Sequence, residues 1–221
     1  MNTHDVWENI HKVKDWGKYP SEHVIRFVAK NYYGLQRASI KILDFGCGGG
    51  AHTWYLAKEG FDVYAFDISE TSVRKTAKYL ESENLRANLS VKNGLSLDYD
   101  DSFFDAVIDN CSIQSNCYKE IATMYSNCFR ILNNEGKLIT TVFSRDTTGY
   151  GTGKMIEPGT FSNLESGRLQ HTGCRHFFDE SELRLTLESC GFSNISIEKN
   201  IYIDSANNRT VHLIGVGEKN V

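Results

Sequence analysis

Hydrophobic and polar positions along this chain follow two alternating periodicities. Apolar residues fill the runs from Ile40 to Phe45 and from Phe61 to Phe66, and both runs have the length of a buried strand. Elsewhere the apolar spacing changes to three and four, as in Val73, Ala77 and Leu80, which would share one face of a helix. The pattern predicts strands over 40–45, 61–66, 89–92, 104–108 and 136–143, and helices over 4–14, 21–32, 51–58, 70–82 and 118–132.

The order of these elements predicts the fold class. Strands that alternate with helices form a parallel sheet with helices on both faces, joined by right-handed crossovers. Later in the chain, Asp179 caps a helix that reaches Cys190, and two alternating runs near 194–203 and 210–217 follow it. We therefore expect an α/β fold that ends in an antiparallel hairpin. The glycine-containing segment 144–177 is expected to be irregular.

Length and charge narrow the possible functions. The chain has 221 residues, with 24 Lys and Arg against 28 Asp and Glu, which gives a formal net charge of −4. Such a chain lacks the broad positive field that attracts nucleic acid, and no apolar run reaches the ~18 residues that a membrane span needs. The stretch from Met1 to Lys18 has no apolar region typical of a signal peptide. We expect a cytoplasmic protein without nucleic-acid or membrane partners, either a monomer or a homodimer.

Cysteine spacing gives no indication of a metal site. No Cys-x-x-Cys pair occurs, whereas zinc sites usually contain closely spaced ligands, and disulfide frameworks belong to short secreted chains. We therefore expect no metal. We also expect most of the six cysteines to be reduced, buried residues, and these are Cys47, Cys111, Cys117, Cys128, Cys174 and Cys190.

The most informative segment is the glycine cluster that follows the first predicted strand. Gly46, Gly48, Gly49 and Gly50 come directly before a predicted helix, and glycine lets a ligand touch the backbone because no Cβ intervenes. Asp67 ends the next predicted strand, where a carboxylate can accept both hydroxyls of a ribose. The combination predicts a cofactor that contains adenosine, bound at the carboxyl edge of the sheet.

Asp44 indicates which adenosine cofactor is bound. The spacing of Gly46, Gly48 and Ala51 also satisfies the dinucleotide fingerprint, so an NAD(P)-dependent oxidoreductase remains an alternative. A dinucleotide would place its pyrophosphate at this helix N-terminus, where the Asp44 carboxylate would repel it. A sulfonium cofactor with an amino-acid ammonium group would instead be attracted by the carboxylate.

These residues resemble the class I methyltransferases that use S-adenosylmethionine and release S-adenosylhomocysteine. The resemblance covers roughly residues 40–218 and rests on Asp44-x-Gly46-x-Gly48, on Asp67, and on the segment Phe103 to Asp109. It implies a three-layer α/β/α, Rossmann-like architecture with a seven-stranded, mostly parallel sheet. A non-catalytic subunit that binds the same cofactor remains a further alternative.

The resemblance also implies a set of cofactor-binding residues. Asp44, Gly46, Cys47 and Gly48 would line the methionine side of the cofactor, and Asp67 would bind the ribose. The remaining expected contacts are Ile68, Asn93 and Gly94 around the adenine, Asn110 facing the reactive methyl, and Trp16 and Tyr19 in an N-terminal segment that covers the cofactor. Family members often have an acid at the position of Asn93, and an amide oxygen can accept the same hydrogen bond.

These assignments divide the chain into functional parts. With no repeat and no linker-like stretch, we expect one methyltransferase domain over 1–221. An N-terminal helical lid would cover 1–35, and the cofactor-binding core would cover 40–143. A substrate-side insert would follow over 144–177, and the C-terminal helix with the hairpin would cover 178–221.

Acid–base and basic residues indicate the acceptor. Transfer to a hydroxyl requires a group that takes its proton, and His171, His176 and Asp109 are the candidates. The insert also carries a set of cations that would suit an anionic or sugar-type metabolite, namely Arg145, Lys154, Arg168 and Arg175. The sequence therefore predicts an S-adenosylmethionine-dependent methyltransferase that acts on an oxygen of a small molecule.

Overall fold

The computed structural model describes residues 3–170 and 173–220 of the chain. The helices are α1 (Thr3–Val13), α2 (Glu22–Tyr32), α3 (Ala51–Lys58), α4 (Glu70–Ser82), α5 (Tyr118–Ile131) and α6 (Glu180–Ser189). The strands are β1 (Lys41–Phe45), β2 (Asp62–Asp67), β3 (Asn88–Val91), β4 (Phe104–Asn110), β5 (Leu132–Phe143), β6 (Lys154–Glu157), β7 (Thr160–Ser162), β8 (Arg175–His176), β9 (Ser193–Ile203) and β10 (Arg209–Glu218). Short 3-10 turns cover Arg37–Ser39 and Ile113–Ser115.

The main sheet has seven strands in the order β3-β2-β1-β4-β5-β10-β9. Strands β1 to β5 pair in parallel, whereas β10 runs antiparallel to both β5 and β9. The order reverses between β1 and β4, and in open α/β sheets the carboxyl ends of the strands on either side of such a point form the ligand crevice. The expected Rossmann-like, mostly parallel sheet with a terminal antiparallel hairpin is confirmed.

Helices cover both faces of the sheet because adjacent strand residues point to opposite sides. On one face, Ile42 of β1 packs in a cluster with Val24 of α2 and Leu56 of α3. On the other face, the next residue, Leu43, belongs to a cluster with Ile121 of α5 and Leu183 of α6. Full burial of each such side chain contributes about 1.5–3 kcal/mol relative to exposure. These two clusters fix the strand ends from which the site is built.

The segment 144–177 differs from its prediction. It contains a three-stranded antiparallel sheet in the order β6-β7-β8, so the expectation of an irregular segment is wrong there. Its strands have two to four residues, too few for an alternating pattern to be recognisable, and they are joined through glycines. Phe161 and Phe177 pack with Phe143 at the end of β5, which places the small sheet beside the carboxyl edge of the large one.

No helix in the described ranges 3–170 and 173–220 is long and apolar enough to cross a membrane. Within the same ranges, no group of three or more His, Cys, Asp or Glu side chains is arranged to hold a metal ion.

Candidate functional site

The glycine loop between β1 and α3 forms the floor of the candidate site. Gly46, Gly48 and Gly50 all have positive φ, at 69°, 54° and 81°. A Cβ on Gly46 would lie 2.0 Å from Oγ of Ser112. The backbone N–H of Cys47 donates to the carbonyl of Phe66 at 2.9 Å, which ties the loop to the end of β2. The loop therefore has a backbone path that other residues would strain, and it presents bare backbone at the sheet edge.

Asp67 at the end of β2 is attached to this loop. Its Oδ2 accepts the backbone N–H of Gly48 at 2.9 Å, and its Oδ1 accepts the N–H of Ser69, also at 2.9 Å. A carboxylate oxygen can accept more than one hydrogen bond, so this arrangement orients Asp67 and leaves acceptor capacity for hydroxyl donors. A carboxylate oriented in this way could accept the two hydroxyls of a ribose.

Asp44 lies one residue before the end of β1 and is 1% exposed. Its Oδ2 accepts the hydroxyl of Thr53 at 2.6 Å. Burial raises the pKa of Asp44 to about 6, and the nearby Asp67 charge acts in the same direction. A buried carboxylate of this kind is stabilised by a cationic ligand, since removal of an anion from water is unfavourable unless a partner compensates it.

The predicted adenine contacts surround the end of β3. Ile68 is half-buried beside Asp67. The side chain of Asn93 accepts the backbone N–H of Leu95 at 3.0 Å, so the amide is oriented by its own turn. A Cβ on Gly94 would lie 2.2 Å from the Phe45 ring, so this position requires glycine. The three residues therefore lie at the same sheet edge as Asp67.

Helix α1 covers the glycine loop. His11 is 3% exposed, and its Cε1 lies 3.8 Å from the position that a Cβ of Gly48 would take. The indole N–H of Trp16 donates to Nδ1 of His11 at 3.2 Å. Burial lowers the pKa of His11 below its usual value, although the charge of Asp67 opposes this. Sequence reasoning missed His11, because one histidine in an amphipathic helix carries no signal of its own.

The two predicted aromatic contacts differ in position. Trp16 lies against the loop, with its Cβ 3.4 Å from the Cβ position of Gly49. Tyr19 is 81% exposed and meets the edge of the Trp54 ring, at a centroid distance of 6.3 Å. Trp16 is therefore next to the cofactor loop, whereas Tyr19 lies on the outer surface of α3.

Asp109 at the end of β4 is fully enclosed. Its Oδ1 accepts the backbone N–H groups of Ser112 and Ile113, both at 3.0 Å, and its Oδ2 accepts the hydroxyl of Thr140 at 2.6 Å. Burial raises its pKa to about 6. The carboxylate holds the turn after β4, in which Cys111 has a φ of 64°.

Asn110, the last residue of β4, contacts a histidine that sequence reasoning did not select. Its Oδ1 lies 3.1 Å from Nε2 of His23 on α2. The same Nε2 lies 2.9 Å from the hydroxyl of Thr141 on β5. Because 87 positions separate His23 from Asn110, no local motif could have indicated this contact.

His176 on β8 is 1% exposed and faces away from the glycine loop. Its Nδ1 lies 2.7 Å from the hydroxyl of Thr160, and its Nε2 lies 3.4 Å from a carboxylate oxygen of Glu182. Its ring also contacts Tyr118. His171, the other predicted histidine, lies outside the described residues.

Arg175 precedes His176 on β8 and points to the opposite side, toward the end of β4. Its guanidinium donates to the hydroxyl of Ser115 and lies between the rings of Trp7 and Phe143, at 5.2 and 5.9 Å. It is 3% exposed, and burial lowers its pKa to about 10. It remains a cation at neutral pH.

The other predicted cations are placed differently. Arg145 is bound to Asp179 at 2.6 Å and to Glu182 at 2.7 Å, so its charge is compensated within the fold. Lys154 and Arg168 are exposed. Of the four, Arg175 contacts the turn after β4, through Ser115.

The chain is similar in sequence to known methyltransferases. Residues 42–136 match a family model described as a methyltransferase domain. The chain is 27% identical over 191 residues to the ubiquinone biosynthesis O-methyltransferase of Coxiella burnetii, covering 83% of this chain and 79% of that protein. It is 25% identical over 200 residues to the mitochondrial protein of the same name from Bos taurus, with 85% and 51% of the two chains covered.

Solved structures share the fold. A SAM-dependent methyltransferase from Methanosarcina mazei has a TM-score of 0.73 at 23% identity, covering 92% of this chain and 99% of that one. The 1,6-didemethyltoxoflavin-N1-methyltransferase of Burkholderia thailandensis, solved with that small molecule and S-adenosylhomocysteine, has a TM-score of 0.64 at 20% identity, covering 91% and 84%.

Proposed function

We propose that this chain, which is a class I S-adenosylmethionine-dependent methyltransferase, methylates a hydroxyl oxygen of a small anionic molecule. The class, the enzyme activity and the cofactor expected from the sequence are supported by the family model and by the similar proteins. The same comparisons favour a methyltransferase over the NAD(P)-dependent oxidoreductase and over the non-catalytic subunit.

The residues of the site fit this cofactor. The loop at Gly46 and Gly48 offers backbone without side chains, Asp67 is oriented with acceptor capacity for two hydroxyls, and the buried Asp44 carboxylate suits an ammonium group. When bound, S-adenosylmethionine supplies an electrophilic methyl group on a sulfonium. We assign Cys47, Ile68, Asn93, Gly94, Asn110 and Trp16 to the surrounding surface, and Tyr19 to its outer margin.

Transfer to oxygen is supported by the curated relatives. Both are named as O-methyltransferases, and their similarity extends over more than four-fifths of this chain. A sugar-type hydroxyl and a phenolic hydroxyl both satisfy this chemistry. We therefore propose that the reacting atom is oxygen and that the acceptor is anionic, and either type of ring fits.

The observation that carries the anionic class is the position of Arg175. A guanidinium buried at 3% exposure between Trp7 and Phe143 places a permanent positive charge beside the carboxyl ends of β4 and β5. Guanidinium groups bind carboxylate and phosphate with two parallel hydrogen bonds, and such charge-assisted bonds are about twice as strong as neutral ones. Arg175 therefore suits the anionic group of an acceptor.

The roles of the predicted acid–base residues follow from their surroundings. We propose that Asp109 positions the turn after β4, since all its described contacts are donors from that turn and from β5. Proton transfer by His176 or His171 stays a prediction. His176 lies on the side of β8 opposite to Arg175, among Thr160, Tyr118 and Glu182.

Paired acceptors test the proposal. Turnover to S-adenosylhomocysteine would be measured with 3,4-dihydroxybenzoate, glucuronate and glucose 6-phosphate, each beside its uncharged counterpart catechol or glucose. Product analysis by mass spectrometry and NMR identifies the methylated atom. We expect O-methylation and a preference for the charged member of each pair.

An Arg175→Gln variant links that preference to the guanidinium. Loss of a charge-assisted contact costs about 1.5–3 kcal/mol, so KM for the charged acceptor should rise by about 10- to 150-fold, with little change for the neutral one. Arg168→Gln, at an exposed position of the same segment, is the control. N-methylation, or equal use of charged and neutral acceptors, would contradict the proposal.

A further inference from the structure

The imidazole of His23 lies where the two central strands of the site end. Asn110 of β4 and Thr141 of β5 are paired in the sheet register, at the carboxyl end of each strand. His23, in the first turn of α2, reaches both of them with the same atom, since Nε2 lies 3.1 Å from Asn110 Oδ1 and 2.9 Å from Thr141 Oγ1. In the family that the chain resembles, the end of β4 faces the reactive methyl.

The surroundings of His23 keep its imidazole neutral at pH 7. Burial lowers its pKa below the usual histidine value, and repulsion between the protonated forms of His23 and His52 acts in the same direction. The hydrogen bond to Asn110 and the charges of Glu22 and Glu198 oppose this shift and are smaller influences than burial.

The two neighbouring histidines are also neutral. Burial lowers the pKa of His52 on α3 to about 4, and it lowers the pKa of His212 on β10 to about 4 as well. His52 accepts the backbone N–H of Ser21 with its Nε2, so that atom is committed to holding the start of α2. His23, by contrast, is only half-buried and turns its Nε2 toward the strand ends.

We propose that His23 takes the proton of the acceptor hydroxyl during methyl transfer, an inference that rests on the O-methylation proposed above. A lone pair of the acceptor oxygen forms the new O–C bond, the C–S bond breaks with its electron pair left on sulfur, and the hydroxyl proton moves to Nε2 of His23. The imidazole becomes an imidazolium, and the sulfonium charge disappears. Protons and charge therefore balance without a further reactant.

The partners of Nε2 suit both protonation states. A hydroxyl such as that of Thr141 can donate to the neutral nitrogen and can accept from the protonated one. The side-chain oxygen of Asn110 accepts the new N–H and stabilises the imidazolium. Asp109 has no comparable role, because it is fully buried beneath the turn after β4 and beside Thr140.

The decisive variant is His23→Gln, which keeps a polar side chain near Asn110 and Thr141 and removes the proton acceptor. Wild type and variant would be compared with whichever charged acceptor of the panel gives the fastest turnover. General base catalysis contributes about 10²- to 10⁴-fold, so kcat should fall within that range. The Kd of S-adenosylhomocysteine by calorimetry should stay within about threefold, because His23 is assigned to the acceptor side. His212→Gln removes a neighbouring imidazole and should leave kcat within about twofold.

The pH profile supplies a second readout. Wild-type kcat should fall on acidification below pH 6.5, as His23 becomes protonated, and the fall should be smaller in His23→Gln. Asp44 and Asp109, each with a pKa of about 6, are present in both proteins and account for the part that remains. Histidine ¹⁵N NMR of the wild-type complex with S-adenosylhomocysteine should show His23 neutral at pH 7, independently of turnover.

The outcomes separate the two proposals. No O-methylated product from wild type with any acceptor would overturn the proposed function and this inference with it. An active wild type whose His23→Gln variant keeps its kcat and its full fall on acidification would overturn the inference alone. A His23 that is protonated at pH 7 would do the same, even if the variant failed to fold.

Discussion

Glu8 on α1 binds Thr71 in the first turn of α4 through both of that residue's donors. One carboxylate oxygen accepts the Thr71 hydroxyl at 2.6 Å, and the other accepts its backbone N–H at 3.2 Å and the hydroxyl of Ser69 at 2.6 Å. Helix N-termini favour negative charge, because their first N–H groups have no partner within the helix. This contact attaches the helix that covers the glycine loop to the rest of the protein.

Replacement of Glu8 by Gln should loosen α1. The carboxylate bonds hold the pKa of Glu8 down at about 2, against an ordinary value of 4.5, so their contribution to stability is complete above pH 4.5 and is lost as the pH falls toward 2. At pH 7 the variant should unfold about 1–2 kcal/mol more easily in urea. The difference should shrink at pH 3.

Hydrogen exchange locates the effect of this variant. Amides of α1 should exchange faster in Glu8→Gln than in wild type, whereas those of β1 should not change. Glu81→Gln, at an exposed position on α4, supplies the control. Equal exchange of α1 in all three proteins would show that Glu8 does not attach the helix.

Replacement of Gly46 by Ala should destabilise the protein through two separable causes. The φ of 69° is strained for alanine by about 1–2 kcal/mol, and the new Cβ would meet Oγ of Ser112 at 2.0 Å. Gly60→Ala, at a φ of 86° with no atom within 4 Å of its Cβ, should show the backbone strain without the clash. Urea unfolding of both variants measures the difference.

A second substitution identifies the clash. In the double variant that combines Gly46→Ala and Ser112→Gly, the Ser112 hydroxymethyl group that meets the new Cβ is gone. The double variant should therefore be more stable than the sum of the two single losses of stability predicts. Simple additivity of the two changes would mean that Ser112 is not what excludes a side chain at position 46.

Replacement of Asp67 by Ala should weaken cofactor binding. The carboxylate would lose its hydroxyl partners on the ribose and its hold on the Gly48 and Ser69 amides, so the Kd of S-adenosylhomocysteine should rise by about 10- to 100-fold in calorimetry. Asp62→Asn, at the opposite end of β2, should leave the Kd unchanged. An unaltered Kd in Asp67→Ala would rule out this carboxylate as the ribose ligand.

Replacement of Asp44 by Asn should change the pH dependence of stability. The pKa of Asp44 is about 6 in the folded state against an ordinary 3.8, so the folded protein holds this proton more tightly. Protonated Asp44 therefore stabilises the folded state fully below pH 3.8, and this stabilisation is lost as the pH rises through 6. Asn removes this loss, so the variant should gain on the order of 2 kcal/mol relative to wild type between pH 4 and pH 7.

Urea unfolding at pH 4, 5, 6 and 7 measures that gain as the difference between the two proteins. The comparison cancels the contribution of Glu8, which both proteins share. The pKa of Asp109, which the Asp44 charge helps to raise, should fall slightly in the variant. Asp100→Asn, at an exposed position, should give parallel curves. If the curves of Asp44→Asn and wild type also ran parallel, Asp44 would not carry the raised pKa.

Most of the fold followed from patterns that are local in the chain. Periodicity predicted the strands of the large sheet and the helices that cover it, because apolar residues on the buried face of each element recur at a fixed spacing. The insert departed from its prediction because strands such as Arg175–His176 are too short to show a period, and their pairing depends on Phe161 and Phe177 packing against Phe143.

The sequence by itself determined which residues we propose for cofactor binding. Asp44, the glycine loop and Asp67 lie within one β-loop-α-β stretch, so their spacing along the chain already reflects their spacing in the fold. The residues that we propose for the acceptor side became visible only in the tertiary structure. It brought His23 to Asn110 and Thr141 across 87 and 118 positions, and the alternation of side chains along β8 turned Arg175 toward Ser115 and His176 away from it. Such contacts depend on how the helices pack on the sheet and on which face of a strand a residue lies. Neither property can be inferred from the residues next to it in the sequence.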